Sequence, residues 1–163
     1  MRHPIIRDGV ISGVIGATTV ALWFLIADVL FRTAFFTPIA LGRALITVLG
    51  TGSAPGPVEL VVIYTVIHYV AFIAVGLLAS LIVHVAEREP SVLAGALILF
   101  VATEIGFYGW SAVLAHSSAF GTVSWIEVTI GNLIAAVSMG TYLWRANPRL
   151  RQELTVAMVG EPR

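Results

Sequence analysis

The chain has 163 residues, of which 58% are hydrophobic and 11% charged, against roughly 25% charged in ordinary soluble domains. Nine basic and nine acidic residues cancel, so no net field recruits nucleic acid, and the absence of cysteine excludes disulfides, thiolate metal sites and thiol catalysis. The composition is that of an integral membrane protein with room for one membrane domain.

Residues 1–8 read as a short basic lead carrying Arg2 and Arg7. From 9 to 27 the chain is apolar apart from Ser12, Thr18 and Thr19, and Asp28 follows. This run of 19 residues exceeds the roughly 7–15 of a signal-peptide core, and no convincing small-x-small cleavage site follows it. It is read as an uncleaved first span at about 9–31. Gly9 and Gly13 form a GxxxG, extended by Gly16 and Ala17 into a face that lets helices approach closely in lipid.

In the link 32–57, Thr37-Pro38 reads as an N-cap followed by proline at the first helical position. Phe36 and Leu41 are spaced for a hydrophobic staple across that cap. Gly50 is a natural stop. The helix expected over 38–49 would be about 18 Å long, too short for a hydrocarbon core of about 30 Å. Arg43 and Thr47 mark a narrow polar stripe on it, so it is expected to lie in the membrane interface. Residues 50–57 form a turn-rich linker.

The stretch 60–83 holds 24 residues with no Asp, Glu, Lys or Arg, and one histidine, His68. A helix that is long and apolar on every side belongs in a membrane, and span 2 is placed at about 58–83. Span 3 follows at about 92–114 and span 4 at about 124–144, where Ser124 and Glu127 fit a capping box. Asn147-Pro148 is expected to cap a surface helix at 148–159, with Leu150, Leu154 and Ala157 or Met158 on one face. The expected fold is all-α. It is an integral membrane four-helix bundle with an interfacial helix between spans 1 and 2 and a short C-terminal surface helix.

Ionisable groups inside a span are costly and are functional candidates by default. Counted at about 1.5 Å per residue, His68, Glu104 and Asn132 fall within roughly 5 Å of the midplane, from three different helices. One reading is a polar clamp, with His68 and Glu104 bonded to each other, or to Tyr108 and backbone, fixing spans 2, 3 and 4. The other is a proton-handling or ligand site, since His titrates near neutrality and burial pushes a Glu toward it. Asp28, Glu59 and Glu127 fall instead near the outer ends, level with Arg32. Glu127 has its capping box, Glu59 sits in the first turn of span 2 at the favourable end of the helix dipole, and Asp28 is spaced to pair with Arg32. The alternative for this set is a periplasmic acidic cluster that binds a cation.

No catalytic or metal centre emerges. His68 and His84 lie roughly 24 Å apart along one helix and His116 is in an outer loop, so no two histidines flank a haem. His68 and Glu104 lack a third metal ligand. Phosphate loops, nucleophile motifs and HExxH are absent.

Several stretches together resemble a group of small four-span bacterial inner-membrane proteins without an assigned activity. These are Ala21-Leu22-Trp23-Phe24 to Asp28, Thr37-Pro38 with Leu41-Gly42, His68-x3-Phe72-x3-Gly76, Gly131-Asn132-Leu133, and Met139-Gly140-Thr141-Tyr142-Leu143-Trp144. The resemblance implies a four-helix inner-membrane protein and lends no function. Three functions are compatible with these features. The first is a non-catalytic accessory subunit of a larger membrane complex, respiratory or photosynthetic in type, in contact with other membrane subunits and with bound lipid, quinone or pigment. The second is a small proton-coupled transporter or channel working as a homo-oligomer through His68 and Glu104. The third is a membrane enzyme acting on a lipid or quinone with the same pair as acid and base.

Arginine placement sets the expected orientation. With four spans, Arg2, Arg7, Arg88, Arg145, Arg149, Arg151 and Arg163 share one side and Arg32 and Arg43 the other, which puts both termini in the cytoplasm. Reporter fusions after Arg163 and within residues 50–57 should report cytoplasmic and periplasmic positions respectively. A periplasmic C-terminus overturns the four-span count.

Overall fold

The structure, a computed structural model, describes residues 2–50, 55–89, 91–93, 95–98, 101 and 125–148. Among these there are helices and no strands: α1 (Arg2–Phe31), α2 (Phe36–Leu49), α3 (Pro57–Ala86) and α4 (Trp125–Ala146). Three of them contain stretches long and apolar enough to cross a membrane, Ile5–Phe31, Pro57–Ala86 and Ile126–Ala146. Most of the third expected span, Glu104 and Tyr108 included, lies outside the described residues, as does the expected surface helix beyond Pro148.

The helices run past the limits expected for the spans. The basic lead is not a separate segment, because α1 continues through it from Arg2. Pro4 falls in the first turn, where a missing N–H is tolerated. At 30 residues α1 is about 45 Å long, so its ends reach beyond a hydrocarbon core of about 30 Å.

Helix α1 is the hub. It packs extensively against α3 and α4, which scarcely touch each other. The α1–α3 contact is antiparallel and advances by four residues on each helix. Ser80 Oγ donates to the Ile5 carbonyl at 3.0 Å, Gly9 faces Gly76 and Leu77, Gly13 faces Phe72 and Ile73, and His68 Nε2 meets the Ala17 carbonyl at 3.0 Å. The glycines of the GxxxG therefore seat backbone directly on backbone. Against the other side of α1, Val20 and Phe24 pack with Ala135 and Met139 of α4, and Trp23, Phe72 and Val128 close the cluster.

Helix α2 begins two residues before the expected start at Pro38. Its N-cap is Phe35, in the left-handed conformation at φ 65°, and Thr37 is not a cap but lies inside the first turn. The reason is tertiary. The carboxylate of Asp28, projecting from α1, takes the Thr37 N–H and so does the work expected of the Thr37 hydroxyl. The other end matches expectation. Gly50, at φ 64°, closes the helix with its N–H on the Ile46 and Thr47 carbonyls. At 14 residues, about 21 Å, α2 is too short to cross, and it lies against α3 with Gly42 on Leu60 while Arg43 and Thr47 stay exposed.

The α1–α3 seam sets a sharp test. A Cβ on Gly76 would lie 2.5 Å from the Gly13 nitrogen and 2.8 Å from its Cα, and backbone cannot swing aside. Gly76→Ala should destabilise the bundle by about 1–3 kcal/mol in denaturant-driven unfolding from detergent. Gly140→Ala, with nothing within 4 Å of its built Cβ, should leave stability unchanged or higher.

Candidate functional site

At the end of the bundle where α1 hands over to α2, three of the four outer charged residues come together. Asp28 is fully buried. One of its oxygens accepts the Thr37 N–H and the other the Thr37 hydroxyl, each at 2.7 Å. The Arg32 guanidinium reaches Asp28 at 3.4 Å and holds the Glu127 carboxylate much more closely, through Nη2 at 2.8 and 3.1 Å. The Glu127 hydrogen bond raises the Arg32 pKa, against an opposing effect of burial, and the guanidinium also sits 5.4 Å above the Phe36 ring. The Asp28–Arg32 pair exists, but the strong partner of Asp28 is Thr37. The Glu127 side chain is engaged with Arg32, and Ser124, its partner in the expected capping box, lies outside the described residues. Trp23 Nε1 donates to the Glu127 carbonyl at 2.9 Å, adding a second tie between α1 and α4.

Glu59 stands apart from this group. It is exposed at the start of α3 and accepts the Gly56 N–H at 2.9 Å. That is one half of a capping box, with no side chain on Gly56 to return the bond.

Nearer the middle of the bundle, His68 turns toward α1. The Ala17 carbonyl can only accept, so in the neutral ring Nε2 carries the proton and Nδ1 presents a lone pair. The Tyr64 hydroxyl donates to that lone pair across 3.4 Å. The ring is stacked on Tyr64, edge-on to Tyr69 and tilted against Phe72, with centroids 5.4, 6.0 and 4.7 Å away. These bonds tie span 2 to span 1, whereas the expected clamp joined spans 2, 3 and 4. Asn132 is half-buried on α4 and has a partner. Glu104 lies outside the described residues, so its pairing with His68 does too.

A cleft of about 240 Å³ joins the two polar levels. It runs between α1 and α3 from Asp28, Phe35 and Thr37 at the outer end down to Thr18, His68 and Tyr69. Leu22 and Ala21 form part of its wall and are exposed on the surface of the bundle. The lining is mostly aliphatic and aromatic, with a few convergent hydroxyls, the usual make-up of a small-molecule pocket.

Some polar contacts were not anticipated. Thr18 and Tyr69 hydroxyls meet at 3.0 Å, Thr19 and Ser138 at 3.2 Å, and the buried carboxylate of Asp8 receives Arg7 at 3.0 Å and Tyr142 at 3.5 Å. Tyr64 stands at i−4 from His68, a spacing visible in the sequence. Nothing local distinguishes Thr18, Thr19 or Ser138 from other hydroxyls of apolar helices. No protein family, curated protein or solved structure matches this chain.

The outer group should matter to stability in a graded way. Asp28→Ala strands the Thr37 N–H and hydroxyl in a buried setting, at about 1–3 kcal/mol for each group, and removes the cap that holds Phe35 left-handed. Glu127→Gln loosens a partly exposed ion pair and should cost less, about 1 kcal/mol. Thermal unfolding in detergent should rank the two in that order.

Proposed function

We propose that this chain is a non-catalytic accessory subunit of a larger membrane complex, of respiratory or photosynthetic type. In this reading it sits in a bacterial inner membrane, crosses four times and keeps both termini in the cytoplasm. The observation that carries the reading is the use made of the costly side chains. Asp28 caps α2, Glu59 caps α3, Arg32 and Glu127 bridge α1 to α4, and His68 bridges α3 to α1. Each of these groups is engaged in holding one helix to another or in closing a helix end. A subunit whose work is to present a rigid set of spans needs them in those roles. Among the described spans the least buried, α3, turns Val62, Val66 and Val70 outward, an apolar surface that a neighbouring membrane subunit can cover.

Extraction from native membranes in mild detergent tests this directly. The chain should migrate in an assembly containing other membrane proteins, well above any multiple of its own 17.4 kDa expected for a small homo-oligomer. The double substitution His68→Gln, Glu104→Gln provides the counter-test. An amide still donates to the Ala17 carbonyl but does not titrate, so assembly and the activity of the complex should persist, with a stability loss of about 1 kcal/mol. Full assembly combined with loss of a proton-dependent activity would instead favour a proton-coupled role and end the accessory reading.

A further inference from the structure

The cleft between α1 and α3 has an unusual distribution of hydrogen-bond donors. Thr18 donates to the Val14 carbonyl at 2.8 Å, so the Tyr69 hydroxyl, 3.0 Å away, donates to Thr18. Thr65 donates to the Val61 carbonyl at 2.7 Å. Thr37 gives both its donors to Asp28, and His68 gives its N–H to Ala17. The Tyr64 hydroxyl alone among these is held loosely, 3.4 Å from His68 Nδ1, beyond the ordinary limit of about 3.2 Å. The cleft thus presents a hydrocarbon-compatible wall with one donor free to turn to a better acceptor.

The depth of that donor says what the acceptor is. Tyr64 lies about 11 Å from the midpoint of the apolar stretch Pro57–Ala86. The hydrocarbon core ends about 15 Å from its centre, so Tyr64 sits just inside the boundary. That is where the ester carbonyl of a membrane lipid begins its acyl chain. From Tyr64 the cleft continues inward to His68, Tyr69 and Thr18, whose protons are already engaged. It therefore has room for chain and no donor for a second polar group. We infer that the cleft is a lipid site, which takes one acyl chain of a glycerophospholipid and hydrogen-bonds its ester carbonyl through Tyr64. An isoprenoid quinone fits less well, because its head carries two carbonyls across the ring and the deep end offers neither of them a donor.

The site is independent of any complex the chain joins. Its test uses the full chain, reconstituted with equal amounts of an ester phospholipid and the matching alkyl-ether phospholipid, then extracted and read by native mass spectrometry. The wild type should retain one phospholipid, the ester form over the ether form by roughly fivefold, the worth of one hydrogen bond. Tyr64→Phe should bring the ratio close to one while the chain is still bound. Ala21→Trp, or separately Leu22→Trp, should remove both lipids, since these exposed wall positions fill the cleft without entering the core. Equal retention of ester and ether lipid by the wild type would overturn the role of Tyr64. Unchanged retention in both tryptophan variants, or displacement of the phospholipid by an added isoprenoid quinone, would overturn the site.

Discussion

The antiparallel crossing of α1 over α3, where Gly9 and Gly13 meet Gly76, is the contact from which the other interhelical contacts take their distances. In hydrocarbon, apolar side chains gain little by leaving lipid for one another, so van der Waals contact and hydrogen bonds decide which helices associate. Removing side chains at the crossing lets the two backbones touch. Only at that separation does the short reach of an imidazole bring His68 to the Ala17 carbonyl, and that of a serine bring Ser80 to Ile5. A bulkier seam would leave both polar groups in an apolar medium without partners, at a cost that water cannot relieve. The close approach and the hydrogen bonds thus reinforce each other.

The same seam explains why there is a cleft at all. Contact is tightest from Ile5 to Ala17 on α1, where the four-residue rows carry small residues. Beyond Ala17 the cleft is lined by Ala21, Leu25 and Asp28 on one side and Tyr64 and Val61 on the other. The start of α2, pinned to α1 by the Thr37–Asp28 bonds, lines the outer end of the cleft with Phe35, Thr37 and Pro38. The strained backbone at Phe35 belongs to the same arrangement. A left-handed phenylalanine costs on the order of 1 kcal/mol, and the two short bonds from Thr37 to Asp28 offset it.

Charge at the outer end is handled by pairing. Asp28 has no exposure, and Arg32 and Glu127 little. The Arg32 guanidinium spans both carboxylates and so links the end of α1 to the start of α4 while α2 is capped from below. Three helix ends are organised by one buried acid and one arginine, which is why charges that are expensive near hydrocarbon are retained there.

The described helices were legible in the sequence, because length without charge is sufficient to demand a membrane span and Gly50 is sufficient to stop a helix. The small-residue face of α1 and the His68-x3-Phe72-x3-Gly76 row were legible too, since a period of four on a helix defines a face whatever it touches. The Asp28–Arg32 pair was legible from its i,i+4 spacing, but the longer-range partners were not. Asp28 and Thr37 are nine residues apart across a turn, and Arg32 and Glu127 are 95 apart. Local rules offered each a nearer role, as an i,i+4 pair or a capping box, worth a few tenths to about 1 kcal/mol. For Thr37 the packed structure offered a stronger partner, the buried Asp28 carboxylate, while the Asp28–Arg32 pair persists beside it and Arg32 also reaches Glu127 across the bundle. Periodicity and hydropathy are properties of one helix and can be read along the chain. The partner of a buried polar group depends on the distance between two helices, which only their packing determines.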